Sequence, residues 1–137
     1  MKYYKSTLLI IILVILDQLS KIYFIGKDIK LFSFLSLTYV KNTGISFGIF
    51  QGYNLLFIFL TLLVILLVLY IYKKNSKYSL PLNLILAGAI GNLIDRIFRG
   101  FVIDFINFKF WPVFNLADSL IVIGALLLVY KLLKEKA

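Results

Sequence analysis

Four aspartates of this 137-residue sequence lie within or beside hydrophobic runs, where an ionised carboxylate is costly. They are Asp17, Asp95, Asp104 and Asp118, in a chain that is 62% hydrophobic. An ionised Asp at the centre of a membrane helix costs roughly 2.5–3.5 kcal/mol on insertion scales. Side chains placed at such a cost are the first candidates for proton-transfer chemistry.

The residue types that are absent narrow this chemistry further. The sequence has no Cys and no His, which excludes thiolate nucleophiles, Ser-His-Asp triads and zinc sites built on His or Cys. Acid–base work near neutral pH must then fall to Asp, Glu, Lys or Tyr. The only Glu, Glu135, lies in the polar tail Lys134-Glu135-Lys136, where a solvated end residue is the simplest interpretation.

Asp104 and Asp118 carry the sharpest hypothesis, since each follows an apolar stretch. Asp118 alone could be an acid at a helix N-terminus, favoured by the helix dipole, but that does not account for Asp104. Two carboxyl groups close together in a low-dielectric pocket cannot both ionise easily, so one keeps a proton. The ionised partner can then activate water while the protonated one polarises a carbonyl, as in aspartic proteases, and the pair titrates as a unit.

Some of the other embedded polar residues have a structural interpretation beside a functional one. Asp17 and Lys21 are four apart on one helix face, either as an ion pair that makes the span tolerable or as support for a site. Asp95 and Arg96 could cap a helix and reach toward the interface. Asn92 requires a partner, because an unpaired amide in hydrocarbon is costly.

The elements that position these residues are membrane spans. A bilayer core about 30 Å thick is crossed by about 20 apolar helical residues, and four segments qualify: 6–25, 53–72, 80–95 and 114–133. We predict an all-α membrane protein in a single domain, with close helix packing at Ala87, Gly88 and Gly91. The net charge of +9 comes mostly from lysine clusters beside apolar runs, which indicates topology rather than nucleic-acid binding.

Lysine clusters within 2–5, 73–77 and 131–136 all fall on one side of the four spans, which the positive-inside rule assigns to the cytoplasm. Both termini are then inside, and the connections 26–52 and 100–113 are outside. At 1.5 Å per residue, all four embedded acids reach the outer membrane–water boundary. A shared polar site is expected there, because ionisable groups in membranes usually face a protein interior or a wet cavity.

The first outer connection is predicted to form a small extracytoplasmic β-structure between helices 1 and 2. Residues 31–40 are rich in strand formers with partial alternation, residues 41–44 have the composition of a turn, and residues 45–50 could form a return strand.

With these residues identified, the sequence resembles the lipoprotein signal peptidases (signal peptidase II), the bacterial membrane aspartyl protease family. Each motif alone is weak, but five occur in order over nearly the whole chain. They are Asp17-Gln18-Leu19-Ser20-Lys21, Asn42-Thr43-Gly44-Ile45-Ser46-Phe47, Gly91-Asn92-Leu93-Ile94-Asp95-Arg96, Val102-Ile103-Asp104-Phe105 and Phe114-Asn115-Leu116-Ala117-Asp118.

The resemblance implies four membrane helices, a β-cradle, and an enzyme with Asp104 and Asp118 as its catalytic pair and with no metal or cofactor. The implied substrate is a diacylglyceryl-modified prolipoprotein, cut just before its lipidated Cys in the bacterial plasma (inner) membrane. The implied inhibitor is globomycin, and a monomer is expected. Residues implied to bind substrate or support the site are Asn42, Gly44, Asn92, Arg96, Asn115, Asp17, Lys21 and Asp95.

Two departures from the family pattern stand out. Ile45-Ser46 replaces the small Ala pair usual after the Asn-x-Gly turn, and the stretch 106–112 between the two acids is compact. Two other functions remain open from the residues themselves. One is a small proton-coupled transporter, although transport sites tend toward the midplane. The other is a non-catalytic membrane scaffold or subunit.

Overall fold

The computed structural model describes residues 2–44 and 52–136. Four long helices dominate it: α1 (Lys2–Phe24), α2 (Asn54–Lys74), α3 (Ser79–Phe98) and α4 (Leu116–Lys136). A short 3₁₀ helix, Ser76–Tyr78, joins α2 to α3. Each of the four helices is long and apolar enough to cross a bilayer. The chain is therefore a multi-pass membrane protein.

Helix α3 lies at the centre of the bundle. Of its membrane window 67% is buried inside the protein, against 11–17% for the other three helices, and α3 packs against each of them. Small residues permit this approach, since a Cβ on Gly88 would overlap the carbonyl oxygen of Ala117, and one on Gly91 would lie 2.5 Å from the Asp17 carboxylate. The predicted close packing at these glycines is confirmed.

A three-stranded antiparallel sheet lies at the bundle end where α1 and α3 terminate. Its strands are β1 (Asp28–Phe32), β2 (Leu35–Asn42) and β3 (Val102–Phe108), in the order β1-β2-β3. The β2–β3 register places Val40 opposite Asp104. The sheet therefore joins the connection after α1 to the connection after α3.

The predicted fold class is confirmed, but the predicted strands were partly wrong. Residues 31–40 do not form one strand, because the chain turns at 33–34 between β1 and β2. Strand β2 runs on through Asn42, so the predicted turn at 41–44 is reduced to a bend at Thr43 and Gly44. The aromatic residues around Ser33 have high β-propensity, which hid the turn. The predicted return strand 45–50, and with it the Ile45-Ser46 departure, lies outside the described residues.

Strand β3 was not predicted at all. It pairs with residues of β2 that lie 60 or more positions earlier in the chain, a non-local contact that a local sequence pattern does not reveal. After β3 the chain folds back sharply, and Phe114 pairs with Ile106 in an isolated bridge. Residues 114 and 115 therefore precede α4, which begins at Leu116 rather than at 114.

Candidate active site

Asp104 lies on β3 with only 2% of its surface exposed. Its two carboxylate oxygens are each held by an asparagine amide. Oδ2 accepts a hydrogen bond from Asn42 Nδ2 at 2.8 Å, and Oδ1 accepts one from Asn115 Nδ2 at 2.7 Å. Asn42 comes from the end of β2 and Asn115 from the residue before α4. Three separate segments therefore meet at this carboxyl group.

Asp118 lies in the first turn of α4 and belongs to a reciprocal cap. The Asn115 Oδ1 accepts a hydrogen bond from the Asp118 backbone N–H at 2.9 Å, and the Asp118 Oδ2 accepts one from the Asn115 N–H at 3.1 Å. This is capping-box geometry, with Asn at the N-cap and Asp three residues on. The interpretation of Asp118 as a helix N-terminal acid is thus correct for one of its oxygens.

The other oxygen of Asp118 bonds to a residue of another helix, α3. Its Oδ1 accepts a hydrogen bond from Asn92 Nδ2 at 2.8 Å. Asn92 Oδ1 in turn accepts from Asn115 Nδ2 at 3.1 Å, the same amide that binds Asp104. The two carboxyl groups are therefore connected through the amides of Asn92 and Asn115.

Lys21 fixes the direction of this amide chain. Its Nζ donates to Asn92 Oδ1 at 3.0 Å, so the Asn92 carbonyl faces the ammonium group and its NH₂ group faces Asp118. Because the Asn115 Oδ1 already accepts from a backbone N–H, its NH₂ group must face Asp104. Both amides then donate to carboxyl oxygens, Asn92 to Asp118 and Asn115 to Asp104.

Behind the amides lies a second cluster of charges, whose centre is fully buried. Lys21 contacts Asp17 at 2.8 Å and Asp95 at 3.3 Å, and all three side chains are 0% exposed. Arg99 pairs with the other oxygen of Asp95. Gln18 bridges the two acids, donating to Asp17 at 3.2 Å and to Asp95 at 3.1 Å. Two cations thus balance two carboxylates.

This cluster also fastens the helices together. Asp17 Oδ1 accepts a hydrogen bond from the Ala117 N–H at 2.9 Å, so an α1 carboxylate sits at the N-terminus of α4, where the helix dipole favours it. Asp95 Oδ2 accepts from the Ile103 N–H at 3.0 Å, which holds the start of β3. Arg99 was not among the predicted site residues, although its spacing of four from Asp95 could have revealed it.

The Asp104 carboxyl has an unusual proton affinity. Its burial, and then the nearby negative charge of Asp118, raise its pKa from 3.8 to about 7, against the opposing effect of the Asn42 and Asn115 hydrogen bonds and of the Lys21 charge. Desolvation and a like charge both disfavour the ionised form. At neutral pH this carboxyl is therefore poised between holding and releasing a proton.

Both carboxyl groups line one cavity of about 550 Å³. Four of the predicted supporting residues line it too: Asn42, Gly44, Asn92 and Arg96. Arg96 Nη2 donates to the Gly44 carbonyl at 3.3 Å, and Gly44 N–H donates to Asn42 Oδ1 at 3.0 Å. The predicted residues Asp17, Lys21, Asp95 and Asn115 instead lie buried behind the wall.

The cavity extends from the carboxyl groups down α4. Val122 and Ile123 line this part and are 57% and 50% exposed on the outside of the bundle. Trp111 and Pro112, in the compact stretch between the two acids, form another part of the wall. The described residues contain no group of three or more His, Cys, Asp or Glu side chains arranged to hold a metal ion.

Comparison with known proteins identifies close relatives over the whole chain. The sequence model of the family described as Signal peptidase (SPase) II matches residues 9–134. The lipoprotein signal peptidase of Thermodesulfovibrio yellowstonii is 43% identical, covering 98% of this chain and 99% of the relative. That of Syntrophomonas wolfei is 46% identical, with 98% and 95% covered.

Two solved structures, each described as a bacterial membrane enzyme determined by the in meso method, share the fold. One has a TM-score of 0.89 at 31% identity, covering 97% of this chain and 90% of the solved one. The other has a TM-score of 0.84 at 33% identity, with 95% and 93% covered. Sequence and fold therefore point to the same group of proteins.

Proposed function

The chain belongs to the signal peptidase II family, and from that premise we propose that it is an aspartic endopeptidase in which Asp104 and Asp118 activate water. One observation carries the proposal. These two acids, from different elements, line one cavity and are joined through the Asn92 and Asn115 amides. Neither acid forms a salt bridge within the described part of the chain, unlike Asp17 and Asp95.

The proton positions follow from the surroundings of each acid. We assign the shared proton to Asp104, whose pKa is raised to about 7, and the role of the base to Asp118. Asp118 takes a proton from water as the water oxygen attacks the peptide carbonyl carbon, while Asp104 gives its proton to the carbonyl oxygen. A neutral tetrahedral diol forms, with no covalent bond to the enzyme.

The second half of the reaction returns both protons. Asp118 transfers the proton that it took from water to the leaving nitrogen, the C–N bond breaks, and Asp104 recovers its proton from a diol hydroxyl. The products are a carboxylic acid and an amine, and the pair ends in its starting state. No group beyond the two carboxyls and one water is required for this balance.

We propose a diacylglyceryl-modified prolipoprotein as substrate, cut just before its lipidated Cys. The shape of the cavity supports a membrane-borne substrate, because the half-exposed Val122 and Ile123 let a chain enter sideways from lipid. We further propose that the protein acts as a monomer in the bacterial plasma membrane, with both termini in the cytoplasm and the site at the outer face. The lysines 73, 74, 131 and 134, at the far end of the helices from the site, support this orientation.

The test is cleavage by the purified protein in lipid. Asp104→Asn and Asp118→Asn should each insert normally and lose essentially all cleavage of diacylglyceryl-modified prolipoprotein, as expected for an essential acid or base. Asp28→Asn is a matched control, since Asp28 is an exposed residue of β1, and it should retain parental activity. Globomycin should inhibit the parent. Substantial turnover by either catalytic variant would refute its role.

The same preparation separates the alternatives. A transporter would be indicated by ion flux into liposomes in a protein without peptidase activity, if the Asp118→Asn variant abolishes that flux. Aspartate variants that alter assembly with a partner protein but change no catalytic activity would indicate a scaffold. A substrate without the diacylglyceryl group tests the lipid requirement separately from the catalytic roles.

A further inference from the structure

The end of the sheet opposite the Asn42–Val102 pair is formed by two turns that meet. At the near end Asn42 pairs with Val102, and at the far end Leu35 pairs with Phe108. Seven residues of strand separate these ends by about 20 Å. At the far end the Lys109 N–H donates to the Phe34 carbonyl at 3.1 Å, so the β1–β2 turn is tied to the turn after β3.

Four aromatic side chains project from these joined turns. Phe32, Phe34, Phe110 and Trp111 are 60%, 50%, 75% and 61% exposed, and we call them, with Lys109, the aromatic tip. The Phe32 and Phe34 rings stack at 5.7 Å, and the backbone N–H of Trp111 donates to the Phe108 carbonyl at 2.9 Å. An exposed cluster of this kind marks a contact surface.

The charges beside the tip are positive. Lys30 of β1 and Lys109 of the tip are both exposed. Asp28, the exposed acid of the described strands, is bonded to the Thr38 hydroxyl at 2.8 Å. Aromatic rings with adjacent lysines are the composition that proteins use at the headgroup level of a bilayer.

The position of the sheet makes a lipid contact reachable. Strand β1 begins four residues after the end of the membrane-spanning α1, and β3 begins four residues after the end of α3. We propose that the aromatic tip inserts into the headgroup region of the adjacent leaflet and prefers anionic phospholipid there. This proposal rests on the membrane spans and is independent of the catalytic roles of Asp104 and Asp118.

Trp111 can serve as an intrinsic fluorescence reporter, because it is the only tryptophan of the chain. The protein is reconstituted into phosphatidylcholine vesicles containing phosphatidylglycerol, with bromine on the lipid chains either near the headgroup or near the methyl end. If the tip is interfacial, shallow bromines should quench the emission at least about twofold more than deep ones.

Trp111 also lines the cavity, so a second reporter is needed. The double variant Trp111→Phe with Phe110→Trp moves the reporter to a residue outside the cavity lining, and it should show the same depth preference. Quenching of the parent but not of this variant would mean that lipid only enters the cavity, which overturns the proposal. Absence of quenching in both would also overturn it, and emission that then depends on the protein-to-lipid ratio would indicate contact with a second copy.

The anionic preference is tested by placing the bromine on one lipid class at a time. At equal mole fraction, brominated phosphatidylglycerol should quench at least about twofold more than brominated phosphatidylcholine, since one lysine near an anionic surface favours binding by about fivefold. Lys30→Gln with Lys109→Gln should remove this difference, while Lys73→Gln, at the far end of the bundle, should preserve it. A preference that survives the double variant would overturn the assignment to these lysines.

Discussion

Replacing Asp104 by Asn should stabilise the protein at alkaline pH while it abolishes cleavage. Raising the pKa of this carboxyl from 3.8 to about 7 corresponds to about 4 kcal/mol, since each pKa unit is worth about 1.4 kcal/mol. The native state holds a proton between these two pH values that the unfolded chain has released. Stability therefore falls as pH rises through this window, and the whole cost is present above about pH 7.

An Asn at this position avoids the ionisation cost but loses an acceptor. Asn42 and Asn115 each donate to one Asp104 oxygen, and an amide offers only one oxygen, so one donor is left unpaired at a cost of about 1–3 kcal/mol. The net gain at pH 8 is then about 1–3 kcal/mol. At pH 5 most of the ionisation cost is absent, and the variant should be no more stable than the parent.

The assay is thermal unfolding of both proteins in the same detergent at pH 5 and pH 8. A gain of this size corresponds to a rise in Tm of roughly 3–10 °C at pH 8 for a chain of this length. Asp28→Asn, on the exposed strand β1, is the control and should show no such pH-dependent change. An Asp104→Asn protein no more stable than the parent at pH 8, or a difference equal at both pH values, would refute the raised pKa.

Three further predictions test the site and its support. Cleavage should decline as pH rises through about 7, because Asp104 then loses the proton that it donates; a rate that is flat from pH 6 to pH 9 in a pH-rate profile would contradict this. Lys21→Met should lower stability by about 3–5 kcal/mol in a denaturant titration, since it leaves Asp17 and Asp95 with too little positive charge. Lys21 also lowers the Asp104 pKa, so residual activity should decline at a higher pH than in the parent, and Lys21→Arg should restore both properties in part. Gly91→Ala should cost about 1–3 kcal/mol, because its Cβ would lie 2.5 Å from the Asp17 carboxylate; an unchanged Tm would show that Asp17 can move.

The spans and the meeting of the acids could be predicted because both depend on local quantities. The length of an apolar run determines where a helix crosses, and the position of an acid within the run determines its depth. Asp17, Asp95, Asp104 and Asp118 do lie in adjoining networks at one end of the bundle. Neither inference requires knowledge of which residues touch.

The details that failed depend on pairing between distant segments. Strand β3 forms by pairing with residues far earlier in the chain. The turn at 33–34 is likewise defined by the pairing of β1 with β2, which the local run of strand formers does not show. The direction of the Asn92 amide is likewise set by Lys21 from another helix. Sequence pattern could name these asparagines as candidates but could not say which atom each one offers to Asp104 or Asp118.

The four embedded acids are compensated in two different ways, and the difference agrees with the roles proposed for them. Asp17 and Asp95 contact cations directly, and such paired, buried charges are suited to holding helices together. Asp104 and Asp118 receive amide and backbone donors instead. Neutral donors satisfy carboxylate oxygens without cancelling their charge.

The use of neutral donors preserves the proton affinity of Asp104 that the proposed chemistry requires. A lysine or arginine in direct contact with Asp104 would lower its pKa by about 1–3 units, and the carboxyl would then have no proton to give at neutral pH. The cation closest to the pair in the hydrogen-bond network, Lys21, reaches Asp104 only through the Asn92 and Asn115 amides. The asparagines therefore orient the two acids and keep the charge of Lys21 at least one residue away from them.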